Sequence, residues 1–503
     1  VIKNRTKEIA LLFSTLLISI SGLIYELLEG TISSYFLGDS IYQFSIIIGI
    51  FMSSMGIGSW FSRYIREDLI DSFIYIQLLI AIFGGFSGVI LFFAFAVIKN
   101  YEAFLYLETI IIGSLLGMEI PLIIRILKDY FPLRSNISNV FTADYIGALF
   151  ASLLFPLVIL PKLGLLQGAL LFGVLNTFVA TLSWYIFRDK VKRNTFIYIA
   201  LTFLLIGTGL LILDRFGAFI EHKIYRDNII YSKTTPYQNI VITRRDKRIK
   251  LYINGALQFD SLDEYRYHEM LIHPVMLMTK YHKRVLILGG GDGLALREIL
   301  KYKDVEKITL VDLDGAITDI FRSNPLLKRL NRDSLNSPKV EILNLDAWKY
   351  LENSKEFFDV VVIDLPDPNS ISLSRLYSKK FFFMVKSHLS KFGAMVIQAT
   401  SALYSKKAFW SIEKSIKSVN LKTFPYHTYV PSFGEWGFVI ASHQNLEFEF
   451  SKIPKDTKFV TKREIEISKH FPKDMEMVDV EVNTIFNHPL LKYYEKGWDY
   501  WYH

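Results

Sequence analysis

The sequence contains no cysteine. That excludes a disulfide framework, a thiolate metal site and a thiol nucleophile, and it leaves the compartment open. Charge is scarce as well: Asp, Glu, Lys and Arg make up 21% of the 503 residues, against 51% hydrophobic residues. A mean hydropathy of +0.28 is too high for an ordinary soluble chain. Also missing is a basic stripe with interleaved aromatics, so the formal net charge of +8 does not point to a nucleic acid partner. The excess of Lys and Arg reads instead as loop charge that sets orientation in a lipid bilayer. The length implies more than one domain.

The apolar residues are concentrated in the first two-fifths of the chain. A helix needs about 20 mostly apolar residues to cross the hydrocarbon core. Seven segments meet that length, centred near Leu17, Ile50, Gly85, Leu116, Phe150, Leu175 and Leu205. The first follows Lys3, Arg5 and Lys7 without an evident small-residue cleavage site, so a retained helix is expected rather than a signal peptide. Gly56, Gly58, Gly84, Gly85 and Gly88 suit close approach between helices. Basic residues recur in alternate loops: Arg63 and Arg66, then Arg125, Lys128 and Arg134, then Arg188, Lys190, Lys192 and Arg193. The intervening loops hold only Lys99 and Lys162. This pattern puts the N-terminus in the cytoplasm.

Past Asp214 the pattern changes. Asn239–Thr243 and Arg248–Ile253 read as strands of a hairpin around the charged turn Arg244–Lys247, and Asn254-Gly255 marks a further turn. The main domain opens with the apolar strand Arg284–Leu288, the turn Gly289-Gly-Gly-Asp-Gly293 and the helical segment Leu294–Tyr302. Strands Lys307–Val311, Val340–Leu343 and Phe358–Ile363 follow and lead to Asp312, Asp346 and Asp364. Strands alternating with helices indicate a doubly wound, mostly parallel sheet, whose ligands bind at the carboxyl ends of the strands. Asp312, about 20 residues after the turn, suits a ribose diol. Asp292 inside the turn would repel the carboxylate of S-adenosylmethionine or a pyrophosphate, and would attract an ammonium. Decarboxylated S-adenosylmethionine fits that environment.

Four blocks carry a resemblance to the spermidine synthase family: Tyr237-Gln238 with Ile240; Gln258, Asp263-Glu264, Tyr267-His268-Glu269 and His273; Leu286–Gly293 with Arg297-Glu298; and Asp364-Leu-Pro-Asp367-Pro368 with Leu376-Tyr377 and Phe381. The match covers about residues 225–445. The N-terminal half is similar to the multi-helix region of membrane-fused bacterial members, in Ser21–Glu26, Gly117–Pro121 and Ala143–Gly147. The resemblance implies that Asp364 is the catalytic base and that Tyr267 orients the attacking amine. It implies donor contacts from Gln238, Gln258, His268, Gly289, Gly291, Asp292, Asp312 and Asp346, and amine contacts from Asp367, Glu269 and Tyr429. Decarboxylated S-adenosylmethionine enters as co-substrate, with no metal and no other cofactor. Leu365 and Pro366 depart from the family's small polar residues between the paired Asp, and Thr428–Trp436 departs from its usual run. Both changes fall where the amine acceptor would bind.

The expected architecture is a multi-pass α-helical membrane bundle of about seven spans (1–214), a small β-strand domain (215–262), an α/β Rossmann-like methyltransferase-type domain (263–445) and a C-terminal extension (446–503). The expected activity is aminopropyl transfer to putrescine, giving spermidine and 5′-methylthioadenosine. Alternatives are another acceptor such as agmatine, cadaverine or spermidine; a methyltransferase; and a membrane polyamine transporter or sensor. Expected partners are small amine and adenosyl sulfonium substrates and the lipid bilayer, and a homo-oligomer stays open. Seven spans from a cytoplasmic N-terminus would put the catalytic domain outside, whereas its donor is cytosolic. Long domains cross largely regardless of charge, and a cytoplasmic domain is expected. Glu26, Glu29, Glu119, Arg125 and Asp144 lie in or beside apolar runs. They sit at helix ends or pair, as Glu119 with Arg125 would, or they line a path for a polyamine or another cation.

Overall fold

The structure is a computed structural model that describes residues 4–37, 40–128, 130, 132–225, 227–445 and 447–502. Lys3 lies outside them. The chain forms two compact units, Val1–Ile229 and Ile230–His503.

The first unit is helical: α1 (Asn4–Leu37), α2 (Ser40–Phe61), α3 (Leu69–Val97), α4 (Tyr101–Lys128), α5 (Leu133–Leu154), α6 (Gly164–Ile186) and α7 (Thr195–Tyr225). Its helices are apolar on more than one face. Ile24, Leu28, Phe73, Ile112 and Leu122 are fully buried, while Met52, Leu157, Leu204 and Leu211 point outward. α2 and α4 approach at backbone distance. A Cβ on Gly58 would stand 1.9 Å from the Ser114 carbonyl, and one on Gly117 would stand 2.0 Å from the Met55 carbonyl.

Among the described residues, six helices are long and apolar enough to cross a membrane. The segments centred near Phe150 and Leu175 belong to a single 54-residue helical run, Leu133–Ile186. Within it, Phe155–Leu163 widens into π-helical turns that contain Pro156 and Pro161. Gly164, at φ +70°, then turns the chain, so that Ile159 reaches 2.7 Å from the place a Cβ would take on Gly168. Proline withholds amide donors and glycine accepts a left-handed backbone, which is why the bend falls there. The apolar part of α7 ends at Leu213, but the helix continues to Tyr225. The expected Glu119–Arg125 pair does not form. Arg125 donates to the Ser62 carbonyl (2.9 Å) and to that of Ile65, while Glu119 accepts from the Gln77 amide.

Next comes an antiparallel sheet of β1 (Asn228–Thr234), β2 (Asn239–Arg245), β3 (Arg248–Ile253) and β4 (Ala256–Asp260), whose first strand straddles the unit boundary. Asn254 and Gly255, at φ +49° and +79°, close the β3–β4 hairpin as a two-residue turn of that hand requires. There follow α8 (Glu264–Met278), β5 (Arg284–Gly289), α9 (Leu294–Ile299), β6 (Lys307–Asp312), α10 (Gly315–Ser323), α11 (Pro325–Leu330), β7 (Val340–Asn344), α12 (Ala347–Asn353) and β8 (Phe358–Asp364). Then come α13 (Ile371–Ser374), α14 (Lys379–Ser387), β9 (Leu389–Gln398), α15 (Lys406–Lys417), β10 (Lys422–Val430), β11 (Gly434–Ser442), α16 (Lys462–Ser468) and α17 (Pro489–Tyr502).

The large sheet runs β10-β11-β9-β8-β5-β6-β7. Its five strands β9, β8, β5, β6 and β7 are parallel, and β11 and β10 add an antiparallel edge. Val285–Leu288 and Val360–Ile363 are fully buried, as central parallel strands covered on both faces must be. One face packs on α8, α9 and α10, the other on α12, α14 and α15. Strand order reverses between β5 and β8, where Gly289 pairs with Asp364. That switch point is where an open sheet binds its ligand.

Replacing Gly117 by Leu forces α2 and α4 apart. We expect a loss of about 1–3 kcal/mol in the helical unit, read as an earlier denaturation midpoint of the full chain in detergent.

Candidate active site

The switch point forces a tight backbone arrangement. The Gly290 amide donates to the Asp364 carbonyl (3.1 Å) and the Gly291 amide to Asp312 Oδ2 (3.0 Å). Gly289 lies at φ +86°, and a Cβ there would meet the Asp364 carbonyl at 2.1 Å. One on Gly291 would meet Asp312 Oδ2 at 2.6 Å. No side chain fits at Gly289, and one at Gly291 would displace the Asp312 carboxylate, so the turn lies directly against both strand ends.

Three carboxylates surround this turn. Asp312 Oδ1 accepts from the Asp314 amide (3.0 Å) and Asp292 Oδ1 from the Leu294 amide (2.9 Å). Burial pushes Asp292 up to about 6 against the pull of the His268 charge, and burial pushes Asp312 up to about 6 as well. Asp364 is also raised by burial, moderated by His268 and by a hydrogen bond from Tyr267. That bond, Tyr267 Oη to Asp364 Oδ1, is 2.6 Å long. The other oxygen, Oδ2, faces Gly290, where a Cβ would stand 3.3 Å away.

α8 supplies Tyr267 and is itself anchored by a buried charge network. Arg297 grips Glu264 with two nitrogens, each 2.9 Å from a carboxylate oxygen. His268 Nδ1 lies 2.9 Å from Glu264 Oε2 and 2.8 Å from the Glu264 carbonyl. Burial alone would favour neutral His268, but the Glu264 hydrogen bond and charge carry it up to about 9. Burial alone would favour neutral Glu264, but His268 and Arg297 hold it down at about 2.

Asp367 follows Asp364 through Leu365 and Pro366. Its Oδ2 accepts from Tyr494 Oη (3.0 Å) and Thr400 Oγ1 (3.4 Å), and its Oδ1 from Gln398 Nε2 (3.3 Å). Burial raises it to about 6, moderated by these three donors. Gln398 also donates to the Leu365 carbonyl (2.7 Å) and to Tyr377 Oη (2.6 Å), and Tyr377 donates to the Pro366 carbonyl (2.9 Å). The loop between the two carboxylates is thus held from β9 and from the segment before α14.

Residues 264–452 match the spermine/spermidine synthase domain family. Over 496 residues the chain is 46% identical to the polyamine aminopropyltransferase of Leptospira interrogans, covering 98% of this chain and 99% of that protein. The chain belongs to the polyamine aminopropyltransferase family. Polyamine aminopropyltransferase 2 of Ralstonia nicotianae is 41% identical over 97% of this chain and 98% of its own length. The crystal structure of spermidine synthase from Thermotoga maritima is 28% identical and covers 49% of this chain and 85% of that one, with a TM-score of 0.45. The chain is therefore a transferase of polyamine synthesis, and the co-substrate of its family is decarboxylated S-adenosylmethionine.

In this aminopropyltransferase, Tyr267, Gly289, Gly291, Asp292, Asp312 and Asp364 meet at the switch point, with His268 beside them. Asp346, at the end of the next strand, caps α12 through the Trp348 amide (2.8 Å) and pairs with Arg375 (2.6 Å). Gln238 sits in a loop whose Thr235 hydroxyl donates to Asp314 Oδ2 (2.7 Å), which ties that loop to the same sheet edge. Gln258 lies on β4, its amide donating to the Ala256 carbonyl (3.2 Å). Tyr429 is 54% exposed, and its carbonyl accepts from Arg266 (3.1 Å).

Glu269 departs from the expected amine contact. Its carboxylate is buried and accepts the amides of Lys458 (2.7 Å), Phe459 (2.8 Å) and Val460 (2.9 Å). Lying two positions after Tyr267 on a helix, it points to the opposite side, toward the segment before α16. Sequence reasoning did not single out Gln398, Thr400 or Tyr494 and gave Tyr377 no role. Only Gln398 offered a signal, as a polar residue that ends the apolar strand Met395–Ile397.

Glu269→Gln sets an amide NH2 against backbone donors. We expect a loss of about 1.5–3 kcal/mol in equilibrium unfolding of the catalytic unit. His268 binds its proton more tightly in the folded state. Its contribution to stability is therefore full below about pH 6.5 and is lost as the pH rises through about 9. Melting temperature should fall from pH 7 to pH 10, and that slope should flatten in His268→Gln.

Proposed function

We propose that the enzyme transfers the aminopropyl group of decarboxylated S-adenosylmethionine to putrescine, giving spermidine and 5′-methylthioadenosine. The observation that carries this reading is the Tyr267–Asp364 hydrogen bond, set against a glycine turn that contains Asp292. The donor has an ammonium but no carboxylate, which suits the Asp292 environment. Asp312 would take the ribose hydroxyls with its remaining lone pairs. Gln238, Gln258, His268, Gly289, Gly291 and Asp346 complete the proposed donor contacts. Asp367 would hold the distal ammonium of the diamine, and Tyr429 would flank it.

In the reaction the acceptor nitrogen forms a bond to the aminopropyl carbon next to sulfur. The carbon–sulfur bond breaks, and its electron pair turns the sulfonium into a neutral thioether. The leaving group needs no acid. The nucleophile does need a base, because an alkylamine with pKa near ~10 is mostly protonated at neutral pH. Asp364, raised by burial, is suited to accept that proton. Tyr267 occupies Oδ1 and leaves Oδ2 for the amine.

A second acceptor is favoured by one specific feature: Leu365 and Pro366 make the loop between the paired Asp apolar, which would suit a longer alkyl chain than that of putrescine. We also propose that the helical unit spans the cell membrane as a multi-pass bundle. The outward-facing Met52, Leu157, Leu204 and Leu211 support this, the last being 83% exposed. Our division of the chain is 1–214, 215–262, 263–445 and 446–503.

Mass spectrometry of products formed from the donor and a panel of putrescine, cadaverine, agmatine and spermidine tests the assignment. Putrescine should be consumed fastest; no product from any amine overturns the reading. Asp364→Asn should lower kcat by about 10²–10⁴-fold.

A further inference from the structure

α1 and α4 carry carboxylates into the interior of the helical unit. Glu29 is fully buried and Glu108 is 5% exposed. Both carboxyl oxygens of Glu108 and Oη of Tyr101 are buried without a hydrogen-bond partner, and Glu29 has only the Thr109 hydroxyl at hand. Glu29 and Glu108 interact electrostatically with each other and with Tyr101. Glu26 lies one helical turn before Glu29 and also acts on it. Leu28, Ile32, Leu105 and Ile112, one to four positions from these carboxylates along the same two helices, are apolar and fully buried.

Carboxylates in such surroundings must be neutralised by protons or by a cation. A hard metal ion asks for six or more oxygens, and among the described residues no group of His, Asp or Glu is arranged to hold a metal. An alkylammonium brings three hydrogen-bond donors and an apolar chain. Those are the complements of acceptor oxygens set among aliphatic side chains. The polar lining also continues. Glu119 lies on the same face of α4, about three turns or ~16 Å further along. There the unpartnered Gln77 Oε1 and Asn176 Oδ1 offer further buried acceptors.

We propose that the helical unit holds a second binding site for a linear diamine or polyamine, separate from the catalytic one, with one ammonium between Glu29, Glu108 and Tyr101. This goes beyond the catalytic reading and does not depend on which amine is the acceptor there.

The test uses the full chain in lipid nanodiscs. A lipophilic carbodiimide modifies buried carboxyls, and peptide mass spectrometry reads the extent at Glu29 and Glu108. Spermidine should lower that labelling at least fivefold, and sodium chloride of equal ionic strength should not. Unchanged labelling, or equal protection by sodium, overturns the proposal. In equilibrium dialysis with radiolabelled spermidine, Glu29→Gln/Glu108→Gln should lose one class of sites at least tenfold in affinity. Its aminopropyl transfer should stay within twofold of wild type. A double variant that binds as wild type does also overturns it. If the catalytic reading were wrong, transfer would be absent from wild type while the labelling result stood.

Discussion

The hydrogen bond from the Gly290 amide to the Asp364 carbonyl fixes the glycine turn against the end of β8. It is made where β5 and β8 diverge from each other, and it brings a backbone turn within contact distance of a strand end. Everything that bears on chemistry is arranged around it. Asp312 receives the next amide along, Asp364 turns its side chain to Tyr267, and Asp292 is carried on the same turn. The close approach is possible because Gly289 and Gly291 have no Cβ. A turn displaced by the width of a methyl group would separate the carboxylates from one another, whatever their identities.

A second layer of order comes from a network of buried charges. Arg297, Glu264 and His268 lock α8 to α9 in a buried network, so the Tyr267 hydroxyl arrives from a rigid helix. Glu269, on the opposite side of α8, gathers three amides from the chain beyond the sheet. Consecutive residues of a helix point in different directions. The run Tyr267-His268-Glu269 therefore serves the site, the helix anchor and the C-terminal segment in turn.

Much of this was readable from residues in order. A fully apolar strand followed by Gly289-Gly-Gly-Asp-Gly293, with acidic residues closing the next strands, announces a parallel sheet and its ligand edge. Glu269 was misread because its place in a motif says nothing of the direction in which a helix points it. Gln398, Thr400 and Tyr494 stayed hidden because amides and hydroxyls carry no spacing rule; only tertiary packing brings them to Asp367. In the helical unit, apolar length located the segments, while Pro156, Pro161 and Gly164 decided that two of them form one bent run.

Tyr494 has a consequence for the order in which the enzyme comes into being. It lies 127 residues after Asp367, on α17. During synthesis, the glycine turn and its three neighbouring carboxylates have left the ribosome well before that hydroxyl exists. The surroundings of Asp367 are therefore incomplete until the last helix of the chain has been made. Of the three groups that donate to the Asp367 carboxylate, Tyr494 is the last in the chain.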